Sequence, residues 1–299
     1  MKIGYPCINL KINCKGNRTF RLKSYSEQRF RETVENNLKC LAKILRFNVQ
    51  HNILFFRITS DLIPFASHPI CSVQWQDEFY SIFRKIGSFI KKNNIRISMH
   101  PDQFVIINAK NKDIVNRSIQ ELIYHTDVLD SLNLDASAKI QLHIGGVYGD
   151  KKKSITRFIN NYKKLPEKIM KRLVIENDHQ RYNLADSLYI SKRCSIPILF
   201  DYFHHKIYHE KNNLDSIFYN YIQTWSSKDG KPMCDYSSQR PNHNPGSHAY
   251  SIDLQDFSNF IEYTKPYDID IMLEIKEKEQ SALKAIDLLK NDERFIKVK

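Results

Sequence analysis

Short apolar runs rich in Ile, Leu, Val and Phe alternate along this chain with segments whose apolar residues recur at helical spacing. Such runs are typical of strands that are buried on both faces, as in a parallel sheet. Strands are predicted at 3–10, 53–58, 95–100, 140–143, 173–176, 196–201, 232–236 and 269–274. Helices are predicted near 26–47, 76–92, 113–132, 154–170, 183–192, 214–225, 254–264 and 282–289.

Eight strand–helix units predict an α/β fold with a parallel sheet. The economical arrangement is a (β/α)₈ TIM barrel that forms a single domain over residues 1–299. The alternative is a doubly wound open sheet. The barrel is preferred because polar residues at the ends of so many strands would be spread along the edge of an open sheet.

Six of the predicted strands end on, or just after, a side chain able to bind a metal. These side chains are His100, His143, Glu176, Asp201, Asp235 and Glu274. The carboxyl ends of barrel strands meet at one face, so the six side chains should converge there. Loop residues His68, His204 and His248 bring the candidates to nine. The pattern predicts a polynuclear metal site.

Each candidate also has an ordinary structural explanation. A single His near a strand end is usually a surface or hydrogen-bonded residue, and a single Asp or Glu there is often a helix cap. The joint occurrence on successive strands requires many coincidences and therefore favours a metal cluster. Imidazole and carboxylate ligands suit Zn²⁺, Mn²⁺ or Fe²⁺, and nine of them suit two or three ions.

The predicted cluster favours phosphoryl chemistry, because neighbouring metal ions activate water and stabilise both oxygens in a phosphodiester displacement. Sugar isomerisation is the competing reaction class. Lys and Arg outnumber Asp and Glu by 46 to 33, a net charge of +13 that favours a polyanion such as nucleic acid. A compositional bias towards Lys and Asn is the plainer explanation of that charge.

Composition excludes several protein classes. A hydrophobic content of 41% and a charged content of 26% are typical of globular proteins rather than disordered or membrane chains. The start of the chain resembles no signal peptide, so we expect a cytoplasmic protein. The six cysteines form no C-x-x-C pair, and no disulfide is expected.

Ordered motifs along most of the chain resemble those of the UV damage endonucleases. The matching stretches are GYPCINL at 4–10, FRITS at 56–60, SHP at 67–69, SMHPDQFV at 98–105, HIGGVYGDK at 143–151, LVIEND at 173–178, FDYFHH at 200–205 and MLEIK at 272–276. As a set these motifs are highly specific.

The resemblance implies a xylose-isomerase-like TIM barrel related to metal-dependent AP endonucleases. It implies incision of double-stranded DNA on the 5′ side of cyclobutane pyrimidine dimers, 6-4 photoproducts and some abasic sites. Two or three ions are implied, usually Mn²⁺, with Zn²⁺, Mg²⁺ or Co²⁺ as alternatives. We further expect a monomer that associates with the nucleoid and has no membrane partner.

The resemblance also implies residue roles. The family's metal-ligand positions match His68, His100, His143, Glu176, Asp201, His204, Asp235, His248 and Glu274. Within this set the catalytic roles are assigned to Glu176, Glu274, His143 and His204. A pair that probes DNA matches Gln103 and Phe104, and Tyr5 and Asn9 lie where residues near an extruded lesion are expected.

Three positions depart from the family pattern. Phe104 stands where a Tyr is common, which removes a hydroxyl but keeps the stacking ring. Met233 stands where some members carry a modified Lys, and the nearest lysine is Lys231. Asp235 stands where some members have His, and a carboxylate can still ligate an ion.

Two other functions remain as alternatives. One is a divalent-metal sugar isomerase of the xylose-isomerase type, which has no need of a +13 surface or an exposed Gln–aromatic pair. The other is a barrel that binds damaged DNA without cutting it, which has no need of a complete metal cluster.

Overall fold

Eight parallel strands close into a barrel in the computed structural model, which describes residues 1–208 and 214–298. Each strand pairs with the next along the chain, and the last pairs with the first. The strands are β1 (Ile3–Pro6), β2 (Phe55–Ile58), β3 (Arg96–Met99), β4 (Lys139–His143), β5 (Leu173–Glu176), β6 (Ile198–Asp201), β7 (Met233–Tyr236) and β8 (Asp270–Leu273). The predicted TIM barrel is confirmed, and the open sheet is excluded.

Helices surround the barrel between successive strands. They are α1 (Glu27–Gln50), α2 (Trp75–Glu78), α3 (Tyr80–Lys92), α4 (Lys112–Ser131), α5 (Lys151–Tyr162), α6 (Glu167–Met170), α7 (Leu184–Cys194), α8 (Tyr202–Ile207), α9 (Leu214–Ile222), α10 (Leu254–Tyr263) and α11 (Glu279–Leu288). Among the described residues, none of the helices has both the length and the apolar character that a membrane crossing needs.

Local backbone chemistry explains where the observed elements differ from the predicted ones. The helix predicted at 154–170 is interrupted before α6, because Pro166 has no backbone N–H to continue it. The strand predicted at 3–10 ends at Pro6, since Cys7 has a positive φ of 72° that takes the chain out of the strand. Helix α8, which follows β6 directly, was not predicted.

The interior of the barrel is apolar in the middle and polar at both ends. The middle layer contains Phe55, Val174, Leu199, Met233 and Met272. Towards the amino ends of the strands, Arg96 pairs with Asp270 at 3.5 Å. Alternate residues of a strand share one face, so the side chains two positions beyond the apolar layer point into the barrel at its carboxyl end. Those side chains are Arg57, Glu176, Asp201, Asp235 and Glu274.

The expectation of no disulfide is wrong for one pair, Cys14 and Cys40. The loop after β1 folds back along α1, where backbone groups of Arg18 exchange two hydrogen bonds with the side chain of Asn37. This brings the Cα atoms of the two cysteines to 5.7 Å, and their sulfurs are bonded. A separation of 26 residues carries no local signal for the bond, because the proximity arises from tertiary packing.

Candidate active site

The carboxyl ends of the strands bring most of the predicted ligands into one cluster, as the sequence predicted. Ligand atoms form three overlapping triads, in each of which they lie within 4.8 Å of one another. The triads are His100–His143–Glu176, Glu176–Asp201–His204 and Asp201–Asp235–Glu274. Shared members make the three triads one continuous centre.

Glu176, at the end of β5, lies at the middle of this centre and is 1% exposed. Its carboxylate is 3.4 Å from Nε2 of His100, 3.7 Å from Nδ1 of His143 and 3.2 Å from Nδ1 of His204. Burial opposes ionisation, but the neighbouring imidazoles outweigh it and hold the pKa of Glu176 well below its usual value. Because Glu176 belongs to two of the triads, its carboxylate would supply a ligand to an ion held in either one.

Asp201 and His204 are held together by the turn from β6 into α8. The Asp201 side chain caps the helix by accepting a hydrogen bond from the backbone N–H of His204 at 2.6 Å. Burial raises the pKa of Asp201 to about 7. Burial lowers the pKa of His204, but Asp201 and Glu176 outweigh it and raise that pKa to about 11. The pair therefore retains a proton that a bound divalent cation would displace.

Arg57 in β2 was not among the predicted site residues, yet it supplies a buried cation to this centre. Its guanidinium donates a 2.6 Å hydrogen bond to Oδ2 of Asp235 and another to Oε1 of Glu274. Burial raises the pKa of Glu274, but Arg57 outweighs it and lowers that pKa to about 2. The signal in the sequence was an Arg within an apolar strand, which needs an anionic partner when buried.

Gln141 in β4 is a second site residue that sequence reasoning missed. Its side-chain amide donates to Oε2 of Glu176 at 2.5 Å and to Oδ2 of Asp235 at 2.8 Å. Burial raises the pKa of Asp235 well above its usual value, although Arg57 opposes this effect. Arg57 and Gln141 together fix one oxygen of Asp235 and leave the other free to face the cluster.

The remaining two predicted ligands lie at the margin of the centre. His248 is adjacent, with Nδ1 2.8 Å from the backbone oxygen of Glu274 and Nε2 3.8 Å from its carboxylate. His68 lies on the loop between β2 and α2, and its Nδ1 accepts a hydrogen bond from the backbone N–H of Ile70. Neither belongs to the triads found in the described part of the chain. His179, which was not predicted, has its ring 5.0 Å from that of His204.

The donor set fits a bound metal. Within the described residues, Oδ1 of Asp235 and Nδ1 of His143 are buried and have no hydrogen-bond partner. Buried polar atoms are seldom left unpaired, and unpaired ones call for a missing partner such as an ion or water. With carboxylate and imidazole ligands on three sides, a divalent cation suits these atoms.

Gln103 and Phe104 lie on the loop between His100 and α4 and are both exposed. The Phe104 ring is 76% exposed, while Val105 beside it is buried and anchors the loop. Phe104 and His68 border a groove of about 540 Å³. The exposed ring is thus free to contact a ligand that approaches the mouth of the barrel.

Tyr5 and Asn9 are more deeply buried than residues that contact a ligand directly usually are. The Tyr5 ring is fully buried, and its hydroxyl donates to Asn48 and accepts from Asn9. The Asn9 side chain is 4% exposed and accepts hydrogen bonds from the backbone of Lys11 and Ile12. In the described conformation these two residues shape the loop after β1.

Met233 and Lys231 occupy different levels of the barrel. Met233 is fully buried in the apolar layer below Asp235. Lys231 precedes β7 and pairs with Asp268 at the opposite end of the barrel from the cluster. No lysine amine therefore reaches the cluster from this strand.

Solved structures of proteins with different names share the fold of this chain. A D-psicose 3-epimerase from Clostridium cellulolyticum H10 superposes with a TM-score of 0.55 at 11% identity and covers 83% of this chain and 92% of its own. Endonuclease IV from Thermus thermophilus superposes with a TM-score of 0.56, also at 11% identity, over 84% of this chain and 93% of its own. At such low identity these similarities show the fold alone.

Sequence comparisons show which family the chain belongs to. The family described as UV-endonuclease UvdE matches residues 1–299. The UV DNA damage endonuclease of Clostridium perfringens is 44% identical over 97% of this chain and 71% of its own length. The UV DNA damage endonuclease of Bacillus cereus strain B4264 is 35% identical over 89% of this chain and 85% of its own length.

A solved structure agrees with this grouping. The crystal structure of SacUVDE is 45% identical, covers 97% of this chain and 98% of its own, and superposes with a TM-score of 0.92. The chain therefore belongs to the UV-endonuclease family, which confirms the resemblance that its motifs indicated and makes it a DNA repair endonuclease.

Proposed function

We propose that this protein is a metal-dependent endonuclease that incises DNA on the 5′ side of cyclobutane pyrimidine dimers and 6-4 photoproducts, and at some abasic sites. One observation carries the proposal. Three overlapping carboxylate–imidazole triads lie at the mouth of the barrel, close to an exposed Gln–Phe pair. The protein acts as a monomeric single-domain barrel on lesion-containing duplex DNA.

Two or three ions, with Mn²⁺ as the first choice, fit the donor set. The residues that would hold them are the triad members, with His248 and His68 completing the shell from its margin. When bound, such ions polarise the phosphodiester and lower the pKa of water, so that hydroxide is available near neutral pH. Glu176, Asp201 and His204 would supply ligands to these ions, and Arg57 orients Glu274 and Asp235 through its hydrogen bonds to them.

Selectivity for lesions follows from the cost of removing bases from the stack. A photodimer stacks and pairs weakly, so extruding it costs less than extruding normal nucleotides. The Phe104 ring is exposed and can fill the gap that an extruded dinucleotide leaves. Contacts of Lys and Arg with the backbone supply affinity that does not depend on sequence.

The decisive experiment uses end-labelled duplex DNA that contains one thymine dimer. Purified protein with Mn²⁺ should produce a single cut immediately 5′ to the dimer. Undamaged duplex of the same sequence and a reaction with EDTA serve as controls, and both should remain uncut. If the protein is folded and has bound Mn²⁺ but leaves the dimer-containing DNA uncut, the proposed incision is contradicted. The two alternatives, a barrel that binds damaged DNA without cutting it and a sugar isomerase, would then remain.

Phe104→Ala should weaken binding to dimer-containing DNA by about ten- to a hundredfold, because base stacking on an aromatic ring is worth about 1–3 kcal/mol. Phe104→Tyr should change this affinity very little, since binding requires the stacking ring rather than a hydroxyl. Fluorescence anisotropy with damaged and undamaged duplex measures both effects. Tyr219→Ala removes another exposed ring, on α9, and provides the matched control.

Metal content should be unchanged in both Phe104 variants. Equal loss of affinity for damaged and undamaged duplex, or loss of bound metal, would contradict a probing role for the ring.

Affinity for undamaged duplex should fall by about a hundredfold or more between about 50 and 200 mM salt, since each Lys or Arg contact with a phosphate releases counterions. Titrations at several salt concentrations give the slope of log affinity against log salt. A flat dependence would mean that the positive charge has no role in DNA binding.

Lys231→Ala should leave incision unchanged. Its amine pairs with Asp268 at the amino end of the barrel, so it cannot act as a modified-lysine ligand in place of Met233. Initial rates of incision, compared with those of the unmodified protein, test this. An inactive but folded variant would show that the strand shifts to bring this amine to the cluster.

A further inference from the structure

A groove of about 420 Å³ runs between α1 and α3, on the outside of the barrel. Its floor is apolar and consists of two short stripes, each with residues four positions apart on one helix face. Leu38 and Ala42 come from α1, and Ile82 and Ile86 come from α3. Leu38 and Ile86 are buried, while Ala42 and Ile82 are half-buried and face the opening. The loop that carries Cys14 forms one end of the groove.

The rim of this groove is strongly cationic. Its charged residues are Lys15 and Arg18 on the loop, Lys39, Lys43 and Arg46 on α1, and Lys85 on α3. All six are exposed. Within residues 1–208 and 214–298, Lys39 is paired with Glu35, and the other five take part in no ion pair. The rim therefore carries positive charge that the chain itself does not neutralise.

The proposed endonuclease activity does not use this groove. Its lining includes none of the triad residues and neither Gln103 nor Phe104. The groove lies on the helical wall, whereas the cluster lies at the carboxyl ends of the strands. Its combination of an apolar floor with an unpaired cationic rim needs a separate explanation.

We propose that this groove binds an acidic peptide segment of a partner protein, one that carries apolar side chains among its carboxylates. A DNA backbone would satisfy the rim but leave the exposed parts of Ala42 and Ile82 in contact with water. An acidic and apolar peptide satisfies both, because carboxylates pair with the rim while Leu- or Phe-like side chains cover the floor. Duplex DNA is therefore the less suitable occupant.

The dimensions set the length of the segment. Lys39, Lys43 and Arg46 lie along one face of α1 and span about 10 Å at 1.5 Å per residue. An extended peptide covers that distance with about three or four residues. A segment of six residues, alternating acidic and apolar, is therefore long enough to extend past both ends of this line of charges.

The probe is a synthetic six-residue peptide that alternates Asp and Leu and carries fluorescein at its amino end. Its binding to the metal-loaded full chain is measured by fluorescence anisotropy. The double variant Lys43→Glu and Arg46→Glu should weaken binding at least tenfold. The double variant Lys163→Glu and Lys164→Glu changes the net charge equally at exposed positions outside the groove and should change binding less than twofold.

A second variant tests the floor separately from the charge. Ala42→Phe fills the opening between the apolar stripes and should also weaken peptide binding at least tenfold, with the rim intact. A peptide with Ser in place of Leu should lose affinity for the unmodified protein to a similar extent. Melting curves of all variants confirm that they remain folded.

Three results would overturn the proposal. One is absence of binding to the unmodified protein, and another is equal binding by the groove and control variants. The third is weaker binding of duplex DNA by the groove variant but not by the control variant, which would make the groove a nucleic-acid contact. Incision of dimer-containing DNA should be unchanged in every groove variant, so failure of this proposal is distinguishable from failure of the proposed function.

Discussion

Glu176→Gln should reduce incision of dimer-containing DNA by about three orders of magnitude or more, the scale observed when a member of a catalytic constellation is lost. Gln keeps the shape of the side chain but removes the negative charge that three imidazoles surround. Because this carboxylate belongs to two triads, its loss should weaken any ion binding by both of them. Glu274→Gln should act in the same direction through the third triad.

Initial rates with end-labelled duplex measure the loss of incision, and metal analysis of protein never exposed to chelator measures the ions. The unmodified chain should hold two or three equivalents, and the Glu176 variant fewer. Glu277→Gln is the control, since Glu277 is half-buried, pairs with Lys284 and lies outside the triads. Near-normal cutting by both the Glu176 and Glu274 variants would defeat the assignment of this centre.

Arg57→Met should lower the free energy of unfolding of the metal-free protein by about 3–5 kcal/mol, the cost of leaving a buried charge without its partner. Arg57 is 3% exposed, and its guanidinium pairs with the carboxyl groups of both Asp235 and Glu274. Bound divalent ions would supply positive charge to the same carboxylates. The loss of stability should therefore be smaller when Mn²⁺ is present than in EDTA.

Arg96→Met provides a matched control for this prediction. Arg96 is also buried inside the barrel and pairs with an aspartate, Asp270, but at the other end from the cluster. Its removal should destabilise the protein equally with and without Mn²⁺. Denaturant unfolding of the two variants under both conditions makes the comparison. If Arg57→Met also loses the same stability under both conditions, Arg57 has only a structural role.

The positions of the main candidate ligands could be predicted because a barrel turns sequence order into spatial order. Each apolar run that forms a strand delivers its last polar residue to the same face. His143, Glu176 and Asp201 end their strands, while His100 and Glu274 come directly after theirs. The hydrophobic period and the residue type at the end of each run therefore contain the information needed to assemble the triads.

Residues in long loops could not be placed in this way. His68 and His248 have the same residue type as the triad histidines, but their positions depend on how each loop folds. Tyr5 and Asn9 were expected near a lesion, and their burial results from a hydrogen-bonded chain to Asn48 on α1. Such contacts between distant residues cannot be read from the local sequence.

Periodicity, strand ends and motifs are local properties of the chain, and they were enough to predict the eight-stranded barrel, the face where the candidate ligands gather and the family. The parts that Arg57 and Gln141 play in the centre could be seen only in the folded chain, since both depend on which side chains meet across the barrel. The Cys14–Cys40 bond and the cationic groove between α1 and α3 have the same origin. Each joins residues that are distant along the chain, and packing alone brings such residues together.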